Sequence, residues 1–244
     1  MSAKKTCLVI GAGDATGAGI AKRFAKGGYH VCLTRRPRHL DKLQALADEI
    51  IADGGTASAH GVDAREEEAM VALFDAIERD IGPLDVVIFN IGANVAFPIR
   101  DTTARVFTKV WEMACFAGFI AGREAARVMV PRGQGTILFT GATASVRGGA
   151  GFAAFAAAKH GLRAVAQSCA RELAPEGIHV AHLLIDGPIN TEWTSQNVPN
   201  FKARLADDNV LQPASIGETY WQVHQQTKDA WTFELDARPW KEQW

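Results

Sequence analysis

The stretch Cys7-Leu8-Val9-Ile10-Gly11-Ala12-Gly13-Asp14-Ala15-Thr16-Gly17-Ala18-Gly19-Ile20-Ala21-Lys22-Arg23-Phe24 decides the fold. Four apolar residues lead into a glycine-rich turn, and apolar residues at Ile20, Ala21 and Phe24 follow it, so the spacing predicts strand, tight turn and helix. Glycines at 11, 13 and 17 let the backbone bend sharply and let a ligand approach where a side chain would collide, while the helix points its free N–H groups at whatever sits there. A pyrophosphate is the natural occupant. Gly11, Gly13, Asp14, Ala15, Thr16 and Gly17 are the candidate residues for holding it.

The next strand pattern, residues 29–34, ends in Arg35-Arg36-Pro37-Arg38. At this place, roughly 20 residues past the turn, an acidic residue would hold the adenosine ribose of NAD, whereas arginine would accept the 2′-phosphate of NADP. Each charge-assisted contact to phosphate contributes about 1.5–3 kcal/mol, so Arg35 and Arg36 point to NADP(H) over NAD(H), against the alternative of a solvated basic turn. Asp14 opposes a further phosphate unless it caps the helix by accepting from the N–H of Thr16 or Gly17.

The bulk numbers fit this picture. A chain of 244 residues with 48% hydrophobic and 22% charged residues is long enough for one large α/β core. A net charge of -1 gives no general pull toward nucleic acid or anionic membrane, which favours a small-molecule partner. Cys7, Cys32, Cys115 and Cys169 form no close pairs of metal-binding or redox type and read as reduced thiols. The short N-terminal approach to the first strand has neither signal-peptide nor membrane-span character, so a cytoplasmic location is expected.

Further along, residues 39–53 have helical spacing, a short strand follows at 56–60, and Asp63-Ala64 lies just past it, where either an adenine amino group or a helix N-terminus would use the aspartate. A helix is expected over 66–80 and a buried central strand over 84–89, ending at Asn90-Ile91-Gly92. A long helical pattern covers 106–129, interrupted by Gly118 and Gly122. A strand over 135–141 then ends in Thr140-Gly141-Ala142-Thr143-Ala144-Ser145, and an alanine-rich helix runs to about Ala174. A sixth strand (178–184) precedes Gly187-Pro188-Ile189-Asn190-Thr191, and residues 191–212 read as a weakly periodic substrate lid. A last helix (about 213–226) and a strand (231–235) follow. The tail from 230 to 244 is rich in tryptophan and is expected to pack on its own core or on a neighbouring subunit. Alternating strands and helices make one α/β domain, doubly wound on a mostly parallel seven-stranded sheet, with ligands at the strands' carboxyl ends.

Together, residues 11–17, Asp63-Ala64, Asn90-Ile91-Gly92, the long helix, residues 155–159 and residues 187–191 resemble the short-chain dehydrogenase/reductase family along essentially the whole chain. The resemblance implies a Rossmann-type domain and a nicotinamide cofactor contacted by Asn90, Gly92, Gly187, Ile189 and Thr191 as well. It also implies a homodimer or homotetramer, for which the small-residue faces of helices 107–131 and 152–174 would allow close packing. Laid on the family's glycine motif without gaps, the three glycine places fall on Gly11, Ala15 and Gly17, the preferred register; a shifted one uses Gly13, Gly17 and Gly19 but displaces the helix by two residues. Lys159 matches the family's lysine, but Phe155 stands at its tyrosine, Ala142 at its serine and Cys115 at its asparagine. A tyrosine that hands a proton to the developing alkoxide has no substitute in phenylalanine. Lys159 keeps the role of holding the nicotinamide ribose hydroxyls. Thr143, Asp186, Ser145 or a water are the alternative proton sources, and a non-catalytic cofactor-binding protein is the competing expectation.

Overall fold

A computed structural model describes residues 5–13 and 15–242. It contains seven strands: β1 (Thr6–Ile10), β2 (His30–Arg35), β3 (Thr56–Gly61), β4 (Leu84–Phe89), β5 (Gly135–Ala142), β6 (Ile178–Ile185) and β7 (Glu234–Ala237). They form one sheet in the order β3-β2-β1-β4-β5-β6-β7, and every neighbouring pair is parallel.

Side-chain alternation along β1 builds two cores. Cys7 and Val9 face helices α1 (Thr16–Lys26), α2 (Leu40–Ala52) and α9 (Pro213–His224). Leu8 and Ile10 face α3 (Glu67–Asp80), α5 (Ala117–Met129) and α6 (Ala153–Leu173). A sheet covered on both faces explains why its central strands read as unbroken apolar runs. The chain winds outward from β1 through β2 to β3 and then returns to pair β4 on the other side of β1, so a crevice opens between the carboxyl ends of β1 and β4.

Two expected elements, the long helix and the last strand, need correction, and the structure defines two further segments. The long helix is α4 (Ala104–Trp111), a π-helical turn at Glu112–Phe116 and α5, in place of one regular helix. Residues 191–212 contain two short helices, α7 (Glu192–Asn197) and α8 (Phe201–Ala206); the first is capped by Thr191 and Thr194 in a reciprocal pair, and Arg204 of the second is tied to Glu242 at 2.6 Å. The last strand begins at Glu234 because Trp231 leaves the ladder to stack on His179, with ring centroids 4.9 Å apart. In the tail, Trp240 is 72% exposed and its indole N–H donates to the Asp207 carbonyl at 3.2 Å, while Trp244 lies outside the described residues.

Small residues of the long helices are used inside the chain. A Cβ on Gly161 would come within 2.7 Å of the Cys115 sulfur, one on Gly118 would collide with Leu162, and one on Gly122 would lie 3.0 Å from the Phe139 ring. Close packing of α5 and α6 against each other and the sheet therefore accounts for them.

Candidate active site

The glycine turn sits at the carboxyl end of β1. Gly11 has φ +91°, and a Cβ there would meet the Asn90 carbonyl oxygen at 2.8 Å, so both the turn and its approach to β4 require glycine. A Cβ on Gly17 would lie 2.5 Å from the Gly11 oxygen: this glycine lets α1 close onto the turn. Gly19 faces α9, where its backbone is met by Pro213 and Gly217, so it serves helix–helix packing on the other side of α1. Ala15 gives α1 no side-chain cap and the Ala18 N–H donates to the Gly13 carbonyl at 2.9 Å, while Thr16 and Gly17 of the first turn line the crevice. Asp14 lies outside the described residues.

Two clefts meet over this turn, sharing Gly11, Gly13, Asn90 and Gly92. The smaller, about 340 Å³, is lined by Arg35, Arg36, His39, Asp63, Ala64 and Arg65 among others. Arg65 clasps Asp63 in a bidentate pair (2.6 and 3.0 Å), and this hydrogen-bonded guanidinium holds the aspartate well below the usual carboxylate range. With both carboxylate oxygens engaged, the local surplus of charge comes from Arg35 and Arg36. Burial lowers the Arg36 guanidinium from its ordinary value, and an arginine keeps its charge in a protein. Arg65 was not expected from the sequence, although its spacing of two from Asp63 is a readable local signal.

The larger cleft, about 870 Å³, runs from Ala15, Thr16 and Gly17 past Asn90 and Gly92 to Ala142, Thr143, Phe152, Phe155 and Lys159. Phe155 and Lys159 are four residues apart on α6, hence one turn apart on the same face, and both line it. Lys159 Nζ donates to the carbonyls of Thr140 (2.8 Å) and Ile91 (3.1 Å), so one of its three hydrogens remains for the cleft. Burial brings its ammonium down to about 8. One turn further along α6, Arg163 grips Glu234 of β7 through two 2.7 Å bonds and fixes the helix that carries Lys159.

Beneath the cleft floor runs a polar chain. Thr140 gives its one hydroxyl hydrogen to Asn90 Oδ1, so Tyr220 must donate to Thr140 (2.7 Å), and Asn90 Nδ2 donates to the Gly11 carbonyl. The whole chain of contacts holds Asn90 and the glycine turn in register. Tyr220 is fully buried and burial pushes its phenol up; Tyr29 is bonded to His224. Neither lines the cleft.

The other expected residues divide. Gly187 and Ile189 line the larger cleft after β6, and Ala64 the smaller. Thr191 is not among the cleft residues and acts as the cap of α7. Thr143 lines the cleft and donates its hydroxyl to Asp186, which is buried outside the lining. Ser145 is buried, its hydroxyl oxygen accepting from the Ala142 N–H. Cys115 lies in the π-helical turn, and burial pushes its thiol up. Among the described residues no group of three or more histidine, cysteine or carboxylate side chains is arranged to hold a metal, and no helix is long and apolar enough to cross a membrane.

The fold that carries this glycine turn and cleft recurs in known proteins. The family model described as short chain dehydrogenase matches residues 5–201. A short-chain dehydrogenase of known structure from Rhodopseudomonas palustris is 52% identical, covers 97% of this chain and 99% of its own, and superposes with a TM-score of 0.83. A metagenomic short-chain oxidoreductase solved in complex with NADP is 25% identical, covering 98% and 99% of the two chains with a TM-score of 0.81. The gluconate 5-dehydrogenase of Gluconobacter oxydans (strain 621H) is 29% identical over 191 residues, 78% of this chain and 73% of that protein. The chain belongs to the short-chain dehydrogenase/reductase family, a family of NAD(P)-binding oxidoreductases.

Proposed function

We propose that this protein is an NADP(H)-dependent oxidoreductase in which no phenol delivers the substrate's proton. The observation that carries the reading is the pairing, on one face of α6, of Lys159 with a phenylalanine at 155 inside the cleft. Gly11, Gly13, Ala15, Thr16 and Gly17 would hold the pyrophosphate, Arg35 and Arg36 the 2′-phosphate, and Asp63 with Ala64 the wall beside the adenine. Asn90, Gly92 and the remaining N–H of Lys159 would hold the nicotinamide ribose, with Gly187 and Ile189 on the carboxamide side and Thr191 capping the helix behind them. The bound nicotinamide supplies or receives hydride.

Proton delivery at this site is weak. The Thr143 hydroxyl is given to Asp186, so the pair presents an oxygen that accepts, and it donates only when Asp186 carries a proton. Ala142 adds no donor, and one missing oxyanion donor typically costs about 2.7–4 kcal/mol. An activated double bond or quinone-like acceptor, which needs little acid help, suits such a site better than a simple ketone. Fluorescence titration tests the reading: NADPH is expected to bind about tenfold or more tightly than NADH. Equal binding of the two removes the NADP(H) assignment, and binding of neither removes the whole reading.

The absence of any phenol from the described cleft lining also favours a second reading, a silent cofactor-binding subunit. Phe155→Tyr with Ala142→Ser separates the two in NADPH-oxidation assays. The oxidoreductase reading expects the native activity to fall in this double variant; turnover appearing where the unaltered protein shows none establishes the silent one. Self-association as a dimer or tetramer belongs to either reading, and Phe107, Trp111 and Phe119, each about 40% exposed on α4 and α5, support it.

A further inference from the structure

We infer that the substrate of the larger cleft is a carboxylate with an apolar body, its charged end received by Arg147 together with Asn94. This rests on the oxidoreductase reading above and adds the class of substrate to it.

The described lining of the cleft contains two cations, Lys159 and Arg147, and no carboxylate. Lys159 is buried and committed to two carbonyls. Arg147 is exposed, and its guanidinium makes no hydrogen bond, ion pair or ring contact with any described residue. Arg79, Arg127 and Arg204 are each paired with a carboxylate of the chain, and the exposed Arg100 and Arg105, which have no such pair among the described residues, lie outside the lining. Asn94, on the same lining, likewise has no side-chain partner among the described residues.

Backbone contacts place both groups. The Arg147 N–H donates to the Thr143 carbonyl (3.1 Å), which sets the arginine one turn beyond a residue of the cleft wall. The loop carrying Asn94 is joined to the loop after Arg147 by Phe97 N–H donating to the Gly151 carbonyl at 2.8 Å. Phe152 and Phe155 supply apolar surface to the same lining.

The cofactor's 2′-phosphate does not account for Arg147, which is absent from the smaller cleft where Arg35, Arg36 and Arg65 gather. The pyrophosphate turn shares the larger cleft but follows β1, two strands across the sheet from β5, after which Arg147 comes. A guanidinium fork and a neutral amide donor beside an aromatic wall match a carboxylate attached to a planar or aliphatic group.

The test uses benzoate and its neutral isostere benzamide, titrated calorimetrically against the free protein and against the protein saturated with NADP+. Benzoate is expected to bind about tenfold or more tightly than benzamide. Arg147→Ala should erase that difference, and Arg147→Lys should retain part of it. NADPH affinity and the thermal midpoint should stay unchanged in both variants. Equal binding of the two probes, or a benzoate preference that survives Arg147→Ala, overturns the inference. Failure of NADPH to bind, with the benzoate preference intact, would instead overturn the cofactor reading alone.

Discussion

Replacing Arg35 and Arg36 together with alanine is expected to weaken NADPH binding by about a hundredfold to ten-thousandfold while leaving NADH within about threefold of its original affinity. Two charge-assisted contacts to phosphate, each about 1.5–3 kcal/mol, give that range, and the two neighbours are close enough to couple, which is why the span is wide. The cleft geometry makes the effect specific. Arg65 has taken both oxygens of Asp63, so removing the arginines leaves no free carboxylate in the described lining to grip the ribose hydroxyls of NADH in their place. The Arg35 guanidinium carbon also lies 3.9 Å from where a Gly13 Cβ would stand, which puts it over the phosphate turn as well as the strand end. Parallel losses for the two cofactors would mean that the pair organises the turn rather than reads the 2′-phosphate.

How much of this was legible depends on how local the interactions are. The central strands and the glycine turn could be read because burial on both faces of a parallel sheet leaves a continuous apolar signature, and because Gly11 answers a steric demand made at the turn itself. The register of the glycine motif could not be read: it depends on Gly17 meeting the Gly11 carbonyl while Gly19 meets α9 nearly 200 residues away. The short helices within residues 191–212 escaped for the same reason. Six-residue helices lack a period long enough to register, and α8 is held by Glu242 and Lys241, which reach Arg204 and Asp207 from the tail. The Tyr220–Thr140–Asn90–Gly11 chain joins four elements that only the fold brings together. Trp231 shows the opposite failure. Its apolar character suggested a strand, but the side chain is satisfied by stacking on His179, and the ladder starts three residues later.

Lys159 is expected to give apo stability and cofactor affinity opposite dependences on pH. Its ordinary value is 10.5, and burial brings it to about 8 in the folded protein. Between those values the unfolded chain binds more protons than the folded one, so the contribution of this group to stability rises with pH, by on the order of 3 kcal/mol from pH 8 to 10.5, and is flat below about pH 7. Burial pushes the Cys7 thiol and the Tyr220 phenol up, which contributes slopes of the other sign. The difference between the unaltered protein and Lys159→Met in denaturant unfolding isolates the lysine. That variant also leaves the Ile91 and Thr140 carbonyls without their donor, an offset of about 1–3 kcal/mol for each that does not vary with pH. Cofactor affinity should move the other way. The ribose hydroxyls need the remaining N–H of the ammonium, so NADPH should bind about tenfold more weakly at pH 9 than at pH 7, and Lys159→Met should remove this dependence along with part of the affinity. A stability difference that stays level from pH 8 to 10 would place water around Nζ, and the cleft would then hold the cofactor without help from a desolvated charge.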